Sequence, residues 1–153
     1  MSSDHHRPQY SVCAYLHNRT HNDLLFCTQL CVSFFTLMCL GELTWPDDTE
    51  LWDPQKLTKH SSVTINNNFF QFFLPGHKAD RFFEGNIIIL HTNPFACNPM
   101  ALFMAYFESC NRRFPLSSPL WLNENGMGVD VCFVWVNRSK QPQRKPGFHK
   151  QPR

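Results

Sequence analysis

Glu42 stands in apolar company, between Leu40 and Leu43 in the stretch FFTLMCLGELTWPDD (residues 34–48). An unpaired charge held away from water costs several kcal/mol, or the group shifts its pKa until it neutralises. The chemistry of this stretch therefore depends on what Glu42 was placed to hold. A second set with possible chemistry lies upstream: Cys13, His17 and His21 fall at i, i+4, i+8 spacing, with Cys27 a little beyond. These could be drawn as a zinc site, but they match no standard finger arrangement, so a surface reading and no metal are expected. A third set, His77-Lys78-Ala79-Asp80-Arg81, is a short polar loop after the Pro75-Gly76 turn signal. By itself it reads as ordinary turn chemistry.

The elements that would carry these residues follow from periodicity. Asp23 is a good N-cap, and residues 24–40 form a run of 17 residues with no charge. Leu24, Leu25, Cys27, Leu30, Cys31, Phe34, Phe35 and Met38 recur at helical spacing, which predicts a core helix. The run touches the lower limit for a membrane span. Thr28, Gln29, Ser33 and Thr36 inside it, and acids instead of Lys or Arg at its edges, argue against one. Pro46 breaks the chain, and residues 49–60 form a charged connector with a second break at Asp53-Pro54. Residues 62–65, 69–74 and 86–90 are then expected as three strands, with Asn66-Asn67-Asn68 and Pro75-Gly76 as turns, giving an antiparallel meander. Asn98-Pro99 caps and starts a helix over 100–110 that turns Leu102, Phe103, Tyr106, Phe107 and Cys110 inward, and Asn111-Arg112-Arg113 ends it. The fold class expected is α+β, mostly helical with a small three-stranded antiparallel meander.

The bulk numbers fit one globular domain: 153 residues, 42% hydrophobic, 15 Phe. The net charge of +2 is unevenly spread. All 12 acids and 8 of the 14 Lys/Arg precede Asn137, which leaves that body at −4, while the other 6 basic residues fall in 138–153. Composition alone therefore does not argue for nucleic acid. Seven cysteines without a framework spacing, and no secretory signal, are read as reduced thiols in an intracellular protein of nucleus or cytoplasm. No membrane partner and no small-molecule cofactor are expected. Residues 1–21 are read as a loosely ordered lead-in, 22–126 as the folded domain, and 127–153 as a strand-like run followed by a basic tail too polar to fold.

The order of elements, together with NDLLF (22–26), LGELTWPDD (40–48), FLPGHKADRFFEGN (73–86) and PLWL (119–122), resembles the catalytic domain of tyrosine recombinases, the phage integrase-like family, in the form carried by mobile elements. The resemblance spans residues 22–126. It implies a partial recombinase core, with DNA as partner and DNA recombination and integration as the ancestral activity. In that family a tyrosine attacks a phosphodiester, while arginines hold the charge that builds on the phosphoryl oxygens. A lysine in the turn between the second and third strands protonates the leaving oxygen.

Carried over residue by residue, the resemblance makes Lys78 the general acid, with His77 and Arg81 beside it on the DNA-facing turn. It makes Glu42 the brace of the family's first arginine, whose position here is Cys39. The second half of the family's site, an H-x-x-R and a tyrosine beyond residue 126, is missing. The tyrosines are Tyr10, Tyr15 and Tyr106, and Tyr106 lies on the apolar face of its helix. The expectation is a vestigial, catalytically inactive site. The alternatives are a non-catalytic, weak DNA-binding or interaction protein using the hairpin and tail, and, less favoured, a single-span membrane protein.

Overall fold

The computed structural model describes residues 19–46, 50, 53–76, 84–92 and 98–130. The first long element, α1 (His21–Thr36), begins in a capping box. The Asp23 backbone N–H donates to Thr20 Oγ1 at 3.2 Å, and the Thr20 N–H donates to Asp23 Oδ2 at 3.1 Å. The cap is thus Thr20, with Asp23 at the third helical position, three residues earlier than the expected start. Reciprocal bonding satisfies two donors that the helix end would otherwise leave open.

The far end also differs from expectation. The helix stops at Thr36 because Leu37 takes a left-handed conformation with φ 55°. Met38 N–H then reaches back to Ser33 O at 3.1 Å. This is the local geometry that usually falls to glycine, so no residue type announced the end. Leu30, Phe34 and Phe35 are 40%, 75% and 40% exposed, which corrects the expectation for these three members of the apolar stripe, while Met38 beyond them packs against the core. The buried stripe also takes in four polar residues, His21, Thr28, Gln29 and Ser33. Thr28 Oγ1 donates to Leu102 O at 3.2 Å and Gln29 Nε2 donates to Leu43 O at 3.0 Å. Both are fully buried, and they tie α1 to the chain segments it packs against.

The sheet follows the expected meander. Strands β1 (Thr64–Ile65), β2 (Phe69–Leu74) and β3 (Asn86–His91) pair antiparallel in the order β1-β2-β3. The Asn66–Asn68 turn is closed by Asn66 N–H donating to Phe69 O at 2.8 Å. β1 is shorter than expected because residues His60–Ser62 coil into a 3-10 turn. There the Ser62 hydroxyl, not a backbone carbonyl, accepts from Phe73 N–H at 3.2 Å. Alternation along β2 and β3 sends Phe70, Phe72, Ile88 and Leu90 inward and Phe73, Ile87 and Ile89 outward.

The second helix, α2 (Pro99–Arg113), starts as expected, with Met100 N–H donating to Asn98 Oδ1 at 3.0 Å and proline in its first turn. Phe103, Tyr106 and Cys110 are buried along one face. The two helices cover one face of the sheet in an α+β arrangement. Phe70 stacks on Phe103 at 3.9 Å between ring centroids, and Phe72 meets Trp121 edge-on at 5.8 Å. After α2 the chain returns across the core: Leu120, Leu122 and Val129 are buried, and Trp45 N–H donates to Val129 O at 2.7 Å. Among the described residues, no helix is long and apolar enough to cross a membrane.

Candidate functional site

The stretch that carries Glu42 leaves α1 through Leu37 and forms a short 3-10 turn, Leu40–Glu42, with Cys39 extended ahead of it. The partner of Glu42 is local. Its Oε2 accepts from the Cys39 backbone N–H at 3.2 Å, while Glu42 N–H donates to Cys39 O at 3.0 Å. The carboxylate is half-buried, not buried as its neighbours in sequence suggested, and Cys39 is an exposed free thiol. Residues 39 and 42, linked in the sequence reading, are thus brought together by a turn that a carboxylate at this position holds closed.

Glu42 also borders a small pocket whose lining includes Leu43, Trp45, Lys56, Pro119 and Trp121. Its volume of about 20 Å³ admits one water-sized group. Two buried polar atoms on its lining residues, Thr44 Oγ1 and Trp121 Nε1, have no hydrogen-bond partner among the described residues. Sequence reasoning missed Lys56, whose only signal was its place in the charged connector. Lys56 Nζ sits 3.9 Å from Asp53 Oδ2, both well exposed, a pairing of little energetic weight.

His77, Lys78 and Arg81 lie outside the described residues, as do Cys13 and His17. What is described is the frame of that turn. Strands β2 and β3 deliver Leu74 and Asn86 side by side at one end of the sheet. Gly85, next to β3, has φ +70° and lies against the Phe73 ring and the Leu74 carbonyl, leaving no space for a side chain.

A polar cluster around His21 and Tyr106 is closed to solvent. His21 is 2% exposed, with Nδ1 2.8 Å from Ser109 Oγ and Nε2 3.0 Å from Leu122 O. A carbonyl only accepts, so Nε2 carries the proton and Nδ1 accepts from the serine hydroxyl. Both nitrogens are engaged, and His21 offers none to a metal. Burial lowers its pKa first, and Arg113 adds to that, against the pull of the Leu122 carbonyl. Tyr106 Oη donates to Leu120 O at 2.8 Å and accepts from Leu122 N–H at 2.9 Å. Burial pushes this phenol well above its ordinary value. It is fully enclosed, as the sequence placed it, and is no nucleophile. Cys110 beside it is likewise raised by burial.

No protein-family model, no curated protein and no solved structure matches this chain.

Proposed function

We propose that this chain is a non-catalytic descendant of a tyrosine recombinase catalytic domain that keeps weak, sequence-indifferent contact with DNA through the turn bearing His77, Lys78 and Arg81 and through its basic tail. One observation carries the reading. A helix, a Gly-Glu-Leu turn, an antiparallel meander and a proline-started helix follow one another in a single packed unit, and this element order is one of the features on which the resemblance rests. The 3.2 Å bond between Glu42 and the Cys39 N–H supports it further, since a carboxylate that once braced a guanidinium needs another donor once that guanidinium is gone.

Loss of activity follows from charge. Removing one donor from a charged transition state costs roughly 10²–10³ in rate. Without the nucleophile there is no covalent step left to accelerate. The test is a suicide DNA substrate incubated with the full chain and with Cys39→Arg. Neither protein is expected to form a covalent adduct, although the variant should fold normally because position 39 is exposed. An adduct trapped on either one would overturn the reading.

A further inference from the structure

The outer edge of β3 points to a second copy of this chain. In the ladder between β2 and β3, Thr92 N–H donates to Asn68 O at 2.8 Å, just beyond the paired residues Phe69 and His91. Antiparallel bonding alternates, so Asn86, Ile88 and Leu90 direct their backbone groups at β2. The N–H and C=O groups of Ile87, Ile89 and His91 face away from the sheet. The other side of β2 agrees with this phase, because Phe69 O and Phe73 N–H bond toward the β1 side. Among the described residues no strand pairs along the outer edge of β3.

Exposed edges of this kind are usually blunted by charge, proline or a bulge. The strand NIIILH has none of the three. It is six residues long and presents Ile87 at 62% and Ile89 at 49% exposure on the outer face, beside Phe73 at 40%. We propose that two copies pair antiparallel through β3 about a two-fold axis at Ile89, forming a six-stranded sheet. In this register Ile89 faces its own counterpart and Ile87 faces His91 of the second copy. All three outward residues of each strand are then bonded, with about six inter-chain hydrogen bonds formed.

Charge selects this orientation. The nearest acid is Glu84. Antiparallel pairing keeps the two Glu84 carboxylates about 34 Å apart along the strands, far beyond a Debye length of about 8 Å. Parallel pairing would set them side by side. Growth stops at the dimer because the strands left at the new edges are the two-residue β1 elements. The area is small. One strand pair falls below the roughly 1,200 Å² of a stable interface, so association belongs at tens of micromolar or weaker.

A disulfide reads the register directly. Bonded antiparallel partners have Cα atoms about 5.5 Å apart, within disulfide reach. Two Ile87 positions would lie about 14 Å apart in the proposed register. Full-length Ile89→Cys, Ile87→Cys and unmodified protein are oxidised mildly at about 100 µM, a concentration chosen for an interface of this size, and resolved without reductant. Ile89→Cys should form several-fold more covalent dimer than the other two. Sedimentation of the unmodified protein should show a monomer–dimer equilibrium that Ile89→Lys weakens at least tenfold. Equal cross-linking of the two cysteine variants, or an unmodified protein that stays monomeric at several hundred micromolar, would overturn the proposal, as would an Ile89→Lys variant that associates unchanged.

Discussion

At the scale of single residues, the core is held by a few polar atoms with no substitute. Tyr106 Oη serves two carbonyls and one N–H of the segment 120–122. Tyr106→Phe keeps the ring packing and strands the Leu122 N–H, so unfolding in urea should show a loss of about 1–3 kcal/mol with no change in slope. His21 makes stability depend on pH. Its folded pKa lies below the ordinary value of 6.5, so below that value the unfolded chain binds the proton more readily. The stabilisation is complete above about pH 6.5 and is lost as pH falls through the folded pKa. Urea midpoints measured at pH 7.5 and 5.5 should fall with acidity in the natural protein and fall less in His21→Gln. An equal fall in both would assign the acid sensitivity to other groups.

At the scale of elements, the ends of α1 show what a sequence exposes and what it hides. β2 was legible to the residue, since Asn66-Asn67-Asn68 and Pro75-Gly76 punctuate both of its ends. The proline-started α2 was legible for the same reason. At α1 the capping signal was present as Thr20-x-x-Asp23, but Asp23 was the stronger cap by residue type and drew the boundary inward. The C-terminal end carried no signal, because Leu37 adopts φ 55° without being glycine and the apolar period ran straight through it. Its side chain is 93% exposed and packs against little, while the left-handed conformation costs a leucine about 1–2 kcal/mol. Leu37→Gly should therefore raise stability by roughly 0.5–1 kcal/mol, the relieved strain being partly offset by the freedom glycine gains in the unfolded chain. A lower melting temperature for this variant would mean that Leu37 makes contacts worth more than the strain. Of the site itself, the resemblance alone linked positions 39 and 42, as a brace and a lost arginine, and it did not foresee that the Cys39 backbone N–H would serve Glu42. The role of Glu42 as a cap of its own turn was not legible, because an apolar neighbourhood in sequence suggested a burial that the turn does not impose.

Across the whole molecule, charge and connectivity act at different ends. The acidic body and the six basic residues of 138–153 mean that any affinity for DNA resides largely in the tail and is lost with salt. With the six tail cations and Lys78 and Arg81 all engaged, the slope of log K against log salt should reach at most about −7, of which the tail supplies about −5. Deleting 138–153 should flatten this slope and abolish measurable binding at physiological salt. Binding that survived unchanged would move the contact to the β2–β3 turn. The segment after α2 has another effect, through Leu122. Its carbonyl meets His21 and its N–H meets Tyr106, while Glu124 N–H donates to Asn22 Oδ1 across a separation of 102 residues. The first turn of α1 is thus completed by a strip of chain synthesised more than a hundred residues later. On the ribosome the helices and the meander can collapse early, but the core cannot close until Val129 has left the exit tunnel, so the nascent chain carries an open apolar face through most of its own synthesis.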